Sequence, residues 1–150
     1  MRIALYQPEI AGNVGAVLRL GACLGVPVDL IEPLGFAWDD ARVRRTAMDY
    51  IDHVHITRHA DWPAFLATTG NARLVLLTTK SSENAYHFAF RSDDILLFGK
   101  ESAGVPDHVH TACPARIRLP MQGAVRSMNL AMSAGLAVAE ALRQTGGFPG

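Results

Sequence analysis

A polar junction near the carboxyl end of the chain carries the strongest chemical signal in the sequence. Arg126, Ser127 and Asn129 stand together where a short strand and a loop lead into an apolar helix. One polar side chain is enough to cap a helix, and Ser127 could do so by accepting a bond from an early backbone N–H. Arg126 and Asn129 exceed that need, and the helix start favours a carboxylate or phosphate. The junction therefore indicates a ligand site.

Two more polar loops follow predicted strands, at residues 78–80 and 99–106. In an open parallel sheet, ligands bind outside the carboxyl ends of the strands. Gly99 and Gly104 would let the backbone approach a ligand closely. Glu101 could accept a hydrogen bond from a ribose hydroxyl, a ligand amine or a backbone N–H. Any one glycine loop is usually a plain turn, but three polar loops in one chain favour a binding site.

A fourth candidate lies near the amino end, where residues 8–15 lead into a predicted helix with Asn13 as its N-cap. Arg19 follows about a turn and a half later and interrupts an otherwise apolar run. A charged side chain among apolar neighbours usually has a partner or a function. Arg19 is therefore either a chemically active group or half of an ion pair, with Glu9 or with an acid elsewhere.

These loops need a scaffold, and the apolar pattern predicts one. Short apolar strands alternate with helical segments, which favours a mostly parallel sheet with helices on both faces. The predicted strands are residues 2–6, 26–31, 54–57, 74–78, 95–98 and 116–119. The predicted helices are residues 13–24, 39–45, 61–69, 105–111 and 127–144, with Pro106 opening the fourth and Trp62, Phe65 and Leu66 facing inward on the third.

The last predicted helix is apolar nearly all round, which indicates burial on more than one face. One stripe of the helix consists of Met128, Met132, Gly135, Ala139 and Leu142. The other stripe consists of Leu130, Ala134, Ala137, Val138 and Ala141. In so small a domain one of the two stripes is expected to pack on a second chain; the alternative is a central core helix in a monomer.

Composition fits a single globular domain spanning residues 1–150, with 49% apolar residues and a net charge of zero. Twelve arginines against two lysines suit phosphate recognition, although a GC-rich genome explains them equally well. Cys23 and Cys113 fit reduced, core-type thiols. With no leader and no membrane-length apolar run, we expect a soluble cytoplasmic protein.

Several common motifs are absent from the sequence. It contains no GxGxxG, Walker or GxSxG pattern. His53 and His55 would share a strand face and His108 and His110 lie two apart, but no metal-site spacing supports them, so we predict no metal. The two Asp-Asp pairs, at residues 39–40 and 93–94, fit caps and turns better than paired catalytic acids.

Taken together, these segments resemble the SPOUT class of S-adenosylmethionine-dependent RNA methyltransferases, over the whole chain. The matching motifs are PEI at residues 8–10 with Asn13, Gly15 and Arg19, then residues 98–106, then residues 119–130. Residues 31–40 look like those of the stand-alone branch that 2′-O-methylates the wobble nucleotide, position 34, of tRNA. The sequence departs from that branch at residues 10–12, where relatives often place proline, and at Ala139.

The resemblance implies an α/β fold whose carboxyl-terminal part forms a trefoil knot, and a homodimer through the first and last helices. It implies S-adenosylmethionine as methyl donor and tRNA as partner, with no metal. The implied cofactor-binding residues are Leu77, Gly99, Glu101, Leu119, Met121, Ser127 and Asn129. The implied catalytic residues are Arg19, Asn13 and Ser127. From the residues we add Arg42, Arg45 and Arg126 as RNA-binding candidates, beside the alternative of a solvated helix face.

The implied reaction is in-line attack of a ribose 2′-oxygen on the sulfonium methyl, so most of the catalysis is alignment. Arg19 matches the residue the family favours as proton acceptor, yet a guanidinium stays protonated, so stabilising an alkoxide or holding a phosphate are alternatives. Other interpretations are the same chemistry on another tRNA or rRNA nucleotide and a non-catalytic RNA-binding protein. A small-molecule enzyme of this fold would lack a nucleophile or an acid–base pair.

Overall fold

The computed structural model describes residues 1–47 and 50–150 and contains a six-stranded sheet in which every pairing is parallel. The strands are β1 (Arg2–Tyr6), β2 (Val28–Ile31), β3 (Ile56–His59), β4 (Leu74–Leu77), β5 (Ile95–Phe98) and β6 (Ala115–Ile117). Their order is β3-β2-β1-β5-β4-β6, so the winding direction reverses between β1 and β5. Such a switch point opens a crevice beyond the carboxyl ends of the strands.

Within residues 1–47 and 50–150, five helices and two short 3-10 turns accompany the strands. The helices are α1 (Ala11–Leu24), α2 (Asp40–Ala47), α3 (Trp62–Leu66), α4 (Asp107–Ala112) and α5 (Leu130–Thr145). The two turns are Tyr50–His53 and Ala85–His87. The sheet is covered on both faces because β1 sends Ile3 and Leu5 into one apolar core and Ala4 and Tyr6 into another. Helices α1, α2 and α5 cover the first face, and α3 and α4 cover the second.

Close approach of α1 to the sheet depends on Gly21. A Cβ added there would lie 2.6 Å from the carbonyl oxygen of Val26 and 3.0 Å from Val54 Cγ2. Helix α5 packs on the same face by its small residues, since Ala134, Ala137 and Ala141 are fully buried. The predicted α/β class, with helices on both faces, is confirmed.

One of the two predicted stripes of α5 lies against the sheet. Leu130, Ala134, Ala137, Val138 and Ala141 are all buried, as is Leu142 from the other stripe. Met132 is 64% exposed and Leu136 is 42% exposed. Within the chain, α5 is therefore buried on one side and presents apolar side chains to solvent on the other.

The predicted caps of the first and last helices are wrong. Helix α1 begins at Ala11, so Asn13 lies inside it, and the cap position is Ile10, which offers no side-chain bond. Helix α5 begins at Leu130, not at Ser127, because Asn129 Oδ1 accepts hydrogen bonds from the backbone N–H groups of residues 131 and 132.

Four smaller expectations also fail. Pro106 precedes α4 as its cap residue rather than opening it. Leu66 is 36% exposed because α3 is only five residues long and buries Trp62 and Phe65 instead. His53 lies in a 3-10 turn, so it shares no strand with His55. Cys23 is exposed, whereas Cys113 is buried as expected.

The aspartate pairs behave as caps and turns, as predicted. Asp39 Oδ1 accepts hydrogen bonds from the backbone N–H groups of Ala41 and Arg42 at the start of α2. Asp94 is fully buried, accepts from the backbone N–H of Arg91, and forms a two-point ion pair with Arg73.

Candidate active site

The carboxylate of Glu101 holds the start of α1 from the loop after β5. It accepts hydrogen bonds from the backbone N–H groups of Glu9 and Ile10, both at 2.9 Å, and from Asn13 Nδ2 at 3.2 Å. The first N–H groups of a helix have no partners within the helix. A residue some ninety positions away therefore does the work of a cap, which is the backbone alternative among the three roles considered for Glu101.

Asn13 and Asn129 continue this network to the third motif. Asn129 Nδ2 donates to Asn13 Oδ1 at 3.0 Å, while its own Oδ1 caps α5. The side chains of Glu101, Asn13 and Asn129 thus form one hydrogen-bonded chain, called here the amide–carboxylate chain. It joins the segments after β1, β5 and β6, which are three of the four polar segments singled out in the sequence; the fourth, residues 78–80, follows β4.

A second contact joins the segment after β1 to the loop after β5. Here the carboxylate belongs to the segment after β1 and the donors to the loop after β5. Glu9 Oε1 accepts hydrogen bonds from the backbone N–H of Ser102 at 2.9 Å and from its hydroxyl at 2.7 Å. These bonds from Ser102, with a smaller contribution from the charge of Lys100, hold the pKa of Glu9 below its ordinary value. Glu9, considered above as a partner for Arg19, therefore binds the loop after β5.

The loop after β5 is a tight turn that requires glycine at two positions. Lys100 and Gly104 exchange backbone hydrogen bonds at 2.8 and 2.9 Å. A Cβ on Gly99 would lie 2.5 Å from the carbonyl carbon of Gly104, and Gly104 itself has φ of +64°. These two backbone hydrogen bonds close the turn, so the turn forms a fixed wall of the crevice.

These loops enclose a cavity of about 590 Å³ at the switch point of the sheet. A volume of this size is typical of small-molecule and cofactor sites. All seven positions predicted to bind the cofactor line it: Leu77, Gly99, Glu101, Leu119, Met121, Ser127 and Asn129. Asn13, predicted as catalytic, lines it as well.

The lining has an apolar floor and a charged rim. The floor includes Leu76 and Phe98, which are buried, and the rim carries Lys80, Lys100 and Arg118. Glu101 carries the one carboxylate among the lining side chains. This carboxylate already accepts three hydrogen bonds from the protein. Such a cavity fits an amphipathic, nucleoside-sized ligand with an anionic group.

Sequence reasoning missed several lining residues, among them Arg118, His110 and Ser133. Arg118 lies beside Asn84 at the end of the predicted last strand, and its polarity there was the available signal. His110 was weighed only as a metal ligand, yet it lines the cavity. Among residues 1–47 and 50–150, no three His, Cys, Asp or Glu side chains gather into a metal site.

Arg19 and the proposed RNA-binding arginines lie outside the cavity lining. The guanidinium carbon of Arg19 sits 5.0 Å from the centre of the Tyr50 ring. Arg42 and Arg45 are exposed on α2, and Arg126 is exposed in the loop before α5. The structure thus brings Asn13 and Ser127 to the cavity and leaves Arg19 farther along α1.

The buried Cys113 thiol offers no nucleophile to a rival chemistry. Burial raises the pKa of the Cys113 thiol to about 11, so it is protonated at neutral pH.

In the described part of the chain, no helix has the length and apolarity that a membrane span requires.

Comparison with known proteins assigns the family. Residues 1–139 match the SpoU rRNA methylase family. The chain belongs to this family. Within the SpoU methylases it is 51% identical, over 96% of its length and 91% of the relative's, to a protein of Beijerinckia indica named tRNA (cytidine(34)-2′-O)-methyltransferase.

Two solved structures have the same fold. One, described as "Structural insights into the 2-OH methylation of C/U34 on tRNA", superposes with a TM-score of 0.91 at 41% identity, covering 95% of this chain and 94% of that one. The other is an AdoMet-bound rRNA methyltransferase from Sinorhizobium meliloti, with a TM-score of 0.86 at 25% identity; the match covers 95% of this chain and 55% of that one.

Proposed function

We propose that this SpoU methylase transfers a methyl group from S-adenosylmethionine to the ribose 2′-hydroxyl of nucleotide 34, the wobble cytidine or modified uridine, of tRNA. The amide–carboxylate chain of Glu101, Asn13 and Asn129 supports the proposal most directly, because it joins the three motifs at one cavity. The substrate assignment rests on the relative that shares 51% of its residues and on the solved structure concerned with C/U34.

The cavity fits the donor by its chemistry. Bound there, S-adenosylmethionine would supply a methyl group on a positively charged sulfur. Leu77 and Leu119 would offer apolar surface to the bound donor, and the loops at Gly99 and Met121 would offer backbone polar groups to it. Lys80, Lys100 and Arg118 can balance the donor's carboxylate. The AdoMet-bound neighbour from Sinorhizobium meliloti supports the same donor.

We assign the protein's own residues to alignment and charge. Glu101 and Asn129 hold the loops that shape the cavity, and Asn13 connects them. A guanidinium does not serve as a base in proteins, so the proposed role of Arg19 is to stabilise the developing alkoxide or to hold the neighbouring phosphate. Alignment of two bound reactants alone is worth roughly 7–11 kcal/mol of barrier.

The exposed arginines are the proposed contact with tRNA. Arg42 and Arg45 on α2 and Arg126 before α5 can each approach a phosphate, and arginine binds phosphate through paired N–H groups. Because the net charge of the chain is zero, binding would come from these local cations rather than from a general field.

Other features of the proposal concern the whole molecule. The 150 residues would act as one domain in the cytoplasm, with a carboxyl-terminal trefoil knot and a homodimer through α1 and α5. The dimer is supported by the apolar side chains exposed beside these helices, Ile10, Met132 and Leu136. Sedimentation of the protein and of Met132→Asp tests this, since the variant should be monomeric; a wild-type monomer would contradict it.

The function is tested by methyl transfer from labelled S-adenosylmethionine to bulk tRNA, followed by nucleoside analysis and mapping of the modified position. We expect a 2′-O-methyl group at nucleotide 34 and none with Arg19→Ala. A methyl group at another nucleotide would favour the rival RNA substrates. Donor binding without any transfer would favour a non-catalytic RNA-binding protein.

A further inference from the structure

We infer that Glu9 is a positioning residue that holds the tip of the turn after β5 in the shape the donor site requires, and that Gly35 in the loop after β2 fixes Glu9. The inference rests on the proposed function and deepens it, because this turn forms one wall of the cavity assigned to S-adenosylmethionine. Neither Glu9 nor Gly35 lines that cavity, so both would act through Ser102, which does.

The tip of the turn is held by bonds from the segment after β1. The two backbone bonds that close the turn join Lys100 to Gly104 and leave residues 101–103 between them. At this tip, the backbone N–H and the hydroxyl of Ser102 both donate to Glu9 Oε1, at 2.9 and 2.7 Å. Glu9 in turn donates its backbone N–H to the Glu101 carboxylate at 2.9 Å. Each segment thus gives a carboxylate and a backbone donor to the other, as in a reciprocal helix cap.

The backbone just before Glu9 has an unusual conformation. Gln7 has φ of +45°, in the left-handed region that residues other than glycine rarely adopt. Its N–H donates to the carbonyl of Ile31 at 2.9 Å, so the end of β1 stays tied to β2. A conformation of this kind persists where the surrounding structure demands it, and it is typical of functional sites. The strained residue lies directly before the segment that supports the donor turn.

The loop after β2 packs on the backbone of Glu9. Gly35 donates its N–H to the carbonyl of Pro8 at 2.9 Å, and a Cβ added to Gly35 would lie 2.7 Å from Glu9 Cα. Leu34 and Phe36, on either side of Gly35, pack against the core of the first sheet face. The loop is therefore a fixed support, and only glycine lets it approach Glu9 this closely.

This support matters because a turn that already has its binding shape loses less conformational freedom when the donor binds. Glu9 supplies the restraint from outside the cavity. Removing its side chain frees the tip of the turn but keeps the backbone N–H that Glu101 accepts, so the start of α1 retains its external bonds. The loss should therefore fall on donor affinity rather than on the catalytic step.

Calorimetric titration with S-adenosylmethionine and the tRNA methylation assay test the inference. With Glu9→Ala, we expect the Kd and KM for the donor to rise about 10-fold, while kcat at saturating donor stays within about threefold of the wild type. Glu9→Gln keeps an oxygen acceptor and should stay within about threefold in Kd. Gly35→Ala forces Glu9 aside and should weaken donor binding about 3- to 10-fold. Glu83→Ala is the matched control and should leave the Kd unchanged, since Glu83 is exposed and lies outside the donor cavity lining.

A double-mutant cycle separates positioning through Ser102 from a general structural role. The loss of donor affinity in Glu9→Ala/Ser102→Ala should be smaller than the product of the two single losses, because each single variant already breaks the shared hydroxyl bond. Ser102→Thr keeps the hydroxyl and should bind the donor better than Ser102→Ala, which tests the same bond even if Glu9→Ala does not fold. Thermal unfolding shows whether each variant is folded.

Three results would overturn the inference. They are equal donor affinity in Glu9→Ala and wild type, a Glu9→Gln variant that binds as weakly as Glu9→Ala, and independent losses in the cycle. If the wild type methylates nucleotide 34 and Glu9→Ala binds the donor equally well, the inference fails and the proposed function stands. If the wild type binds the donor but methylates no RNA, the function fails, and the donor affinities of the variants still decide the role of Glu9. A wild type that binds no donor would overturn both.

Discussion

The cavity and the arginine surface, defined as Arg19, Arg42 and Arg45, are built in different ways. Around the cavity, Glu101 and Asn129 make hydrogen bonds of 3.2 Å or shorter to α1, so the loops are fixed within the chain. On the arginine surface, by contrast, Arg42 and Arg45 are exposed on a short helix. The difference indicates a small-molecule site shaped before its ligand arrives, beside a cationic surface suited to a flexible polyanion.

The largest expected effect comes from breaking the cavity at Gly99. Gly99→Ala places a methyl group 2.5 Å from the backbone of Gly104, so the turn must open. Overpacking of this kind costs about 1–3 kcal/mol, and about a 5- to 150-fold loss of donor affinity follows if that strain falls on the bound conformation. Calorimetric titration with S-adenosylmethionine measures it.

Gly123→Ala is the matched control for that variant. No heavy atom lies within 4 Å of an added Cβ at Gly123, so donor affinity should stay at the wild-type value. Equal donor affinity in Gly99→Ala and wild type would show that the turn is not part of the donor site.

The second prediction removes the centre of the amide–carboxylate chain. Glu101→Ala leaves two backbone N–H groups and the Asn13 amide without their acceptor, at a cost of about 1–3 kcal/mol in unfolding free energy. Urea unfolding measures the loss, and Glu83→Ala, in an exposed loop, should show almost none. A Glu101→Ala protein as stable as the wild type would mean that α1 needs no external cap.

A third prediction compares Ser127 and Asn129, two polar residues that lie two positions apart in the chain but have different roles. Asn129→Ala should lower the unfolding free energy by about 1 kcal/mol, since Asn129 caps α5 and bonds to Asn13. Ser127→Ala should leave stability unchanged, because Ser127 is exposed and lies two residues before the cap. The opposite ranking in thermal unfolding would restore Ser127 as the structural cap.

The fourth prediction concerns the arginine surface and sharpens its contrast with the cavity. Arg42→Ala and Arg45→Ala should each weaken tRNA binding and reduce the slope of log affinity against log salt by about 1. Donor affinity should not change, since neither residue lines the cavity. Filter binding at several salt concentrations measures the slope; unchanged slopes in both variants would assign α2 to a solvated face.

The smallest effect concerns pH and the Glu9–Ser102 contact. The pKa of Glu9 is lowered in the folded state, so the contact stabilises the fold above the ordinary value of 4.5 and stops doing so as the pH falls through the lowered one. Ser102→Ala should therefore reduce stability at pH 7 more than at pH 3. An NMR titration in which Glu9 has its ordinary pKa in both proteins would contradict this.

The sequence was sufficient to predict the sheet and the meeting of three loops, because those depend on local apolar runs and on the geometry of parallel strands. All six predicted strands exist, with ends shifted by up to two residues. The carboxyl ends of β1 and β5 lie side by side, which is why residues 9 and 101 can bond. Local apolar patterns were therefore enough to predict the strands and the meeting of their loops.

The external hydrogen bonds at the start of α1 and the contact between Arg19 and Tyr50 could not be predicted, because they depend on residues far apart in the chain. The Asn13 side chain bonds to Glu101 and Asn129, which lie 88 and 116 positions farther along the chain. Its suitability as a local cap was therefore misleading. The Tyr50 ring reaches Arg19 only after α2 has folded across α1. Side-chain contacts of this kind require the tertiary structure.

A crystal structure of the protein with S-adenosylmethionine tests the central claim most directly. The account predicts donor density in the cavity between the turn at Gly99 and the loop at Met121, with the bonds among Glu101, Asn13 and Asn129 intact. A cavity that stays empty at saturating donor concentration, or a donor bound elsewhere on the chain, would contradict it.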